Sequence, residues 1–270
     1  MKLEGKVALV TGSSQGIGQG IVLRLAEAGA DVVINYRSHP EGAEETLAKV
    51  QAIGGRCHMA QCPNDQSPIA QGHTIRADLG SVTEVRQLIA ESIEHFGKLD
   101  ILVNNAGIEK HAPFWEVTEA DYDAVLNVNL KGVFFATQAF VQHLIGTKRT
   151  GKIINISSVH EDLPFPNFAA YCVSKGGMKM LTRNLAIELG SFGITINNVA
   201  PGAIETPINT QLLNNPEKLG ALLNTIPLGR LGQPQEVASL VVFLASGDAD
   251  YITGSTFFVD GGLLWNYQEQ

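Results

Sequence analysis

KVALVTGSSQGIGQGIVLRLAEAGA, residues 6–30, carries three signals in order: an apolar β-branched run, a glycine-rich turn and a stretch of helical periodicity. Lys6 to Val10 suits a strand buried on both faces, and the residues after Gly18 repeat their apolar positions at helix spacing. Between them, Gly12, Gly16 and Gly18 permit a tight turn and a close approach of backbone to a pyrophosphate, toward which the first free amides of the helix point. Glycines alone more often mark a plain turn. The strand before and the helix after are what favour dinucleotide binding. Strand and helix patterns alternate to the end of the chain without a linker or a repeat, so the expectation is α/β, a single Rossmann-like domain over 1–270 with a doubly wound parallel sheet and helices on both faces.

Composition agrees with an ordinary globular protein. The 270 residues are 44% hydrophobic and 17% charged, enough to bury a substantial core. A net charge of −8 without a basic run argues against nucleic acid or an anionic membrane as partner. The N-terminus enters a strand directly, and no apolar run reaches the roughly 20 residues that span a bilayer, so a cytoplasmic location is expected. Three cysteines, Cys57, Cys62 and Cys172, are too few and too odd in number for a disulfide framework.

The chemistry points to a second stretch, SVHEDLPFPNFAAYCVSK, residues 158–175. Tyr171 and Lys175 are four positions apart in a helical pattern, so phenol and ammonium share a face. A tyrosine with pKa about 10 needs about 4 kcal/mol of stabilisation to act as a base at neutral pH. An ammonium about 4 Å away at an effective dielectric near 20 supplies energy of that order. An isolated YxxxK is more often two exposed helical residues. Here Ser158 follows the strand-like KIINIS, where a hydroxyl at a strand's carboxyl end can hold a reacting oxygen beside the phenol.

The second strand, DVVIN, ends about 20 residues after the glycine turn, where an Asp or Glu would bind the 2′-hydroxyl of NAD. This chain has Asn35, Tyr36, Arg37 and Ser38 there. With no carboxylate to repel a 2′-phosphate and a guanidinium to pair with it, the strand end favours NADP. Gln15 is neutral, which leaves NAD open as well.

The glycine spacing G-x-x-x-G-x-G, NNAG at 104–107 and the Ser158, Tyr171, Lys175 set together resemble the short-chain dehydrogenase/reductase family over nearly the whole chain. That resemblance implies a catalytic set of Asn129, Ser158, Tyr171 and Lys175, with Asn129 holding a water that links the lysine to solvent. It also implies coenzyme contacts at Gly12, Ser14, Gln15, Gly16, Ile17, Gly18, Tyr36, Arg37, Ser38, Asp78, Leu79, Asn105, Ala106, Gly107, Tyr171, Lys175, Pro201, Gly202, Ile204 and Thr206. A homotetramer follows from the same resemblance. NYRS, SSVHE, SKGGMK and PGAIETPIN read like the glucose 1-dehydrogenases within the family, in which a Glu occupies the place of Glu109.

A helix is expected over roughly Pro40 to Ile53, ending at Gly54 and Gly55, and residues 57–72 beyond it depart from the family pattern and read as an inserted surface loop. Cys57, His58, Cys62 and His73 sit in or beside it at a spacing that matches no zinc pattern, so no metal is expected. Asn104, Asn105 and Gly107 are read as side-chain amides and bare backbone that let the chain pass close to the coenzyme ribose and the central strand. Asn127 and Asn129 are poor helix formers in LNVNLKGVFF, and an internal asparagine often bonds to its own turn. Residues 205–229 read as helical pieces interrupted by Pro216 and Pro227, forming a substrate lid. Glu109, Ser158, His160 and Tyr171 are the candidate substrate contacts, with Glu161 and Asn167 on the same loops. The expected reaction is oxidation of a sugar hydroxyl, glucose at C1 favoured, by hydride transfer to NAD(P). A 3-oxoacyl-thioester reductase is the enzymic alternative, and a non-catalytic NADP-sensing protein the alternative from another class.

Overall fold

The central strands of the sheet are short, mostly apolar runs with β-branched residues, and their side chains alternate between two cores because successive residues of a strand point to opposite faces. Ala8, Val10, Val32, Ile34, Ile101 and Val103 face one core. Val7, Leu9, Val33, Leu102, Ile153 and Ile196 face the other. The structure, a computed structural model, describes residues 2–60, 70–207 and 214–266, apart from the side chains of 54–60.

The strands are β1 (Val7–Val10), β2 (Asp31–Tyr36), β3 (Gly72–Arg76), β4 (Ile101–Asn104), β5 (Gly151–Ile156), β6 (Ile194–Pro201) and β7 (Thr256–Val259). They form one parallel seven-stranded sheet in the order β3-β2-β1-β4-β5-β6-β7. After β3 the chain crosses back over β1 and adds its later strands on the other side. A crevice therefore opens at the carboxyl ends of β1 and β4, the place where open α/β sheets bind ligands.

Helices cover both faces. On one side lie α1 (Gly16–Glu27), α2 (Pro40–Ala60) and α8 (Pro234–Ala245). On the other lie α3 (Val82–Phe96), α4 (Glu119–Leu126), α5 (Val133–Thr147) and α6 (Ala169–Leu189), while α7 (Pro216–Thr225) belongs to the segment after β6. Ser81 caps α3 by accepting from the Glu84 amide, and Gly97 ends it in the left-handed region. The stretch Glu119–Thr147 runs through α4, a π turn and α5, and is long and apolar enough by composition to cross a membrane. It buries Ala136, Phe140 and Leu144 in the second core.

Two expectations need revision. The helix expected to stop near Ile53 continues as α2 through Gly54 and Gly55 to Ala60, although glycine's low helix propensity predicts a stop there. The expected insert at 57–72 thus begins as helix and ends inside β3; residues 61–69, with Cys62, and the side chains of Cys57 and His58 lie outside the described residues. His73 is described, and its ring stacks on His95 at 3.8 Å. Of the expected lid, residues 208–213 lie outside the described residues; after them Pro216 starts a helix, with Asn215 accepting from the Lys218 amide as its cap.

A row of polar residues crosses the sheet in register. Asn104 pairs with Asn155, Asn155 with Asn198 and Asn198 with Thr256. The three asparagines are buried and bonded to one another: Asn104 Nδ2 donates to Asn155 Oδ1 (2.8 Å), and Asn155 Nδ2 to Asn198 Oδ1 (3.3 Å) and to Thr182 Oγ1 (2.9 Å) on α6. Of the two NNAG amides, Asn104 is therefore the one committed to the sheet. Asn155→Ala should lower unfolding stability by about 3 kcal/mol in urea titration, because it strands two or three buried polar groups at once. A loss below about 1 kcal/mol would contradict the description of this row as a bonded unit.

Candidate active site

Two glycines are required by the protein's own packing. A Cβ on Gly12, whose φ is +60°, would stand 2.9 Å from Ala106 Cα, and one on Gly18 would stand 2.5 Å from Asn105 Nδ2. The turn after β1 is thus pressed against the end of β4. Thr11 Oγ1 accepts from the Asn105 and Ala106 amides (2.9 and 3.0 Å), and Asn105 Nδ2 donates to the Thr11 and Gly12 carbonyls. From the other side Asn35 Oδ1 accepts from the Gly12 amide at 2.9 Å. Asn35 does more than leave out a carboxylate. It locks the glycine turn.

A cavity of about 560 Å³ runs along the carboxyl ends of the strands from this turn to the catalytic segment, within the size range of small-molecule sites. It is bounded by Gly12, Ser14, Gln15, Gly16, Ile17 and Gly18, by Tyr36, Arg37 and Ser38, by Asp78 and Leu79, and by Asn105, Ala106 and Gly107. Ser158, Tyr171, Lys175, Pro201, Gly202 and Thr206 close its other end, with Glu109 beside them. Of the expected coenzyme contacts only Ile204 is absent from this wall: it is buried and bridges to Gly232. His39 bounds the cavity and escaped the sequence reading, although it directly follows Ser38. The donor set fits a dinucleotide. The N-terminus of α1 opens onto the cavity, with no side-chain hydrogen bond from Gln15 and no acidic residue in its first turn, leaving its amides to an anion.

At the catalytic end, Ser158 is buried where β5 gives way to a turn, and its hydroxyl is hydrogen-bonded to the Tyr171 phenol. Lys175 is buried one helical turn along, its Nζ 5.5 Å from the Tyr171 ring centroid and donating to the Ile156 carbonyl at 2.9 Å. Asn129 sits in the π turn and bonds not to its own turn but across to the loop after β4: its Oδ1 accepts from the Ile108 amide and its Nδ2 donates to the Ile108 carbonyl, both at 2.8 Å. Its Nδ2 also reaches Ser174 Oγ at 3.2 Å. A π turn is where a helix leaves room for such a bond.

The electrostatics differ from the sequence expectation. Burial pushes the Tyr171 phenol up to about 12, against the lowering by its bond to Ser158, and the nearby Glu109 carboxyl raises it further. Burial likewise pushes Lys175 down to about 8, opposed by the charge of Glu161. The expected stabilisation of phenolate by ammonium assumed a half-solvated pair, and desolvation of both groups outweighs it. Of the two groups, Lys175 is the first to lose its proton as pH rises, near pH 8.

The candidate substrate residues divide. Glu109 borders the cavity, and partial burial raises its carboxyl. His160 does not border it. Its ring stacks on Phe165 at 4.2 Å and its Nδ1 lies 3.0 Å from the Leu163 carbonyl. Glu161 is buried and turned into the sheet, and Asn167 is exposed with φ +69°. Among the described residues no cluster of three or more His, Cys, Asp or Glu is placed to hold a metal ion.

Comparison with known proteins agrees with this geometry. A family model described as enoyl-(acyl carrier protein) reductase matches residues 12–264. The chain is 41% identical over 261 residues to 3beta-hydroxysteroid dehydrogenase 1 of Eggerthella lenta, covering 97% of this chain and 94% of that protein. It is 38% identical over 262 residues to glucose 1-dehydrogenase 2 of Bacillus subtilis, covering 97% and 95%. A crystal structure from Agrobacterium tumefaciens with bound NADP, provisionally assigned as a 2-deoxy-D-gluconate 3-dehydrogenase, is 36% identical with a TM-score of 0.87, covering 97% of this chain and 98% of that one. With the Ser, Tyr and Lys groups gathered at one end of a cavity whose other end is the glycine turn, the chain belongs to the short-chain dehydrogenase/reductase family of oxidoreductases.

Proposed function

We propose that the protein is an NADP-using dehydrogenase of a sugar hydroxyl, with glucose at C1 the favoured substrate. The observation that carries this reading is the single cavity that joins the glycine turn and Arg37 at one end to Ser158, Tyr171, Lys175 and Glu109 at the other. Gly12, Gly16 and the first amides of α1 hold the pyrophosphate, Arg37 and Ser38 the 2′-phosphate, and Pro201, Gly202 and Thr206 the nicotinamide end. The bound coenzyme supplies the two-electron chemistry that side chains lack. Ser158 orients the substrate oxygen, Tyr171 exchanges the proton with it, Lys175 carries the compensating charge, and Asn129 keeps the loop after β4 against the helix. With the phenol held up at about 12 and the ammonium down at about 8, both are mostly protonated in neutral solution, which suits Tyr171 as the acid of carbonyl reduction, and loss of the Lys175 proton as pH rises favours taking a proton from an alcohol.

Glu109 supports the sugar reading, since strong selection among ring hydroxyls needs polar groups that the wrong substrate leaves unpaired. The likeness to a glucose 1-dehydrogenase points the same way. A second reading, an alcohol on a larger apolar ring system, is favoured by the aromatic stack beside Tyr171: Phe165 and Phe168 lie 4.0 Å apart and parallel, flanked by His160 and His111. The hydroxysteroid dehydrogenase relative fits that alternative.

The homotetramer is also proposed here. Val173, Met180 and Ile187 are exposed one heptad apart along α6, and Phe134 and Ile145 are exposed on α5. Such a stripe is costly to leave in water and suits helix packing between copies. Light scattering at micromolar concentration should give four times the chain mass, and a monomer mass would count against it.

The functional reading is tested by initial rates on aldoses, a 3β-hydroxysteroid and acetoacetyl thioester, each with NAD and NADP from about pH 6 to about pH 10. Glucose oxidation with NADP should exceed the other activities, rise through about pH 8, and fall about 10- to 100-fold in Glu109→Ala. Arg37→Ala should weaken NADP far more than NAD, because only NADP offers a phosphate to the guanidinium. Turnover of the thioester or the steroid with no aldose oxidised would overturn the sugar assignment.

A further inference from the structure

Glu161 lies three residues beyond Ser158 in the turn that leaves β5, and its side chain has no exposed surface. A carboxyl group buried in that way is costly unless donors meet its oxygens. Ser157 Oγ donates to Oε2 at 2.5 Å, Asn198 Nδ2 to Oε2 at 3.2 Å and Thr256 Oγ1 to Oε1 at 2.8 Å, while Lys179 Nζ stands 3.7 Å from Oε1. All of these are donors, the surroundings of a carboxylate in its acceptor-only form. Asn198 and Thr256 also end the polar row that crosses the sheet from Asn104. The row therefore terminates on Glu161.

Lys175 precedes Lys179 by four residues on α6, so both ammonium groups face the end of β5. Lys175 holds the carbonyl of Ile156, Glu161 holds the hydroxyl of Ser157, and Ser158 is next in the chain. Two opposite charges thus grip consecutive residues of the strand end that presents the reactive hydroxyl.

We infer that Glu161 is a positioning residue of the active site, which fixes the Ser157–Ser158 strand end and supplies the buried anion that balances Lys175. The inference rests on the reading of Tyr171 and Lys175 as a proton-transfer pair and holds for any substrate. Among the described residues, the charged and titratable groups around Glu161 and Lys175 are Lys179, paired on its outer side with Asp162, and Tyr171, against which His160 and Cys172 pack, with Glu109 beyond it. The partners from β6 and β7 are neutral. Burial drives Lys175 toward its neutral form and Glu161 opposes this, so removing that charge makes the ammonium lose its proton at lower pH.

The test titrates Lys175 directly, by NMR of protein labelled at the lysine ε-carbons with the signal assigned through Lys175→Arg. Glu161→Gln should lower the Lys175 midpoint by about half a unit or more, whereas Glu161→Asp, which keeps the charge, should hold it near the native value. In Glu161→Gln, kcat for glucose oxidation with NADP should fall about 10-fold or more, while NADPH affinity measured by fluorescence changes by less than about 3-fold. A folded Glu161→Gln protein with an unmoved Lys175 midpoint would overturn the inference. If Glu161→Gln does not fold, Thr256→Val removes one donor and keeps the charge; kcat should then drop about 3-fold with NADPH affinity retained, and an unchanged kcat overturns the inference. The NMR titration needs no substrate, so failure of the glucose assignment leaves it readable.

Discussion

The structure depends on a buried hydrogen-bonded row that spans four strands. Asn104, Asn155, Asn198 and Thr256 stand in register across β4 to β7, and each is bonded along the row, to α6 or to Glu161. Apolar residues at these positions would pack as well, but they would not fix one strand's height against the next. Buried polar groups penalise every arrangement that leaves them unpaired. The row starts at the carboxyl ends of β4 and β5, where Ser158 emerges, and runs through the middle of β6 to the first residue of β7, so what registers the sheet also registers the catalytic segment.

The other end of the cavity is set by close approach. Gly12 and Gly18 let the first turn sit against Ala106 and Asn105, and Thr11 and Asn35 tie it there by hydrogen bonds. That packing leaves the amides of α1 facing the cavity without a side-chain cap. Coenzyme-binding chemistry at this end is a consequence of backbone placement, and the chain's net charge of −8 has little bearing on it.

Much of this was legible in the sequence, for reasons that differ by residue. The glycine turn is visible because a positive φ or a missing Cβ leaves no choice of residue type. Tyr171 and Lys175 are visible because helix periodicity alone puts them on one face. The balance between them was not, since it depends on how far both are desolvated, which no spacing reveals. Which of the NNAG amides serves the coenzyme and which the next strand was not legible, because a polar residue at a strand end looks the same in either setting. Glu161 and His160 were read together as substrate wall, yet one points into the sheet and the other stacks on Phe165. A short turn decides such directions, and residue order does not. Gly54 and Gly55 misled in the opposite sense, ending on paper a helix that continues to Ala60.

The proposed chemistry of the site rests on Tyr171 as the group that exchanges a proton with the substrate oxygen. Replacing it with Phe removes one hydroxyl and leaves the glycine turn, Arg37 and the fold of α6 untouched. The most direct measurement is single-turnover rate and NADPH affinity of Tyr171→Phe side by side. The account predicts a rate lower by about 1,000-fold or more with affinity within about 3-fold of the native protein. A native rate in this variant would contradict it.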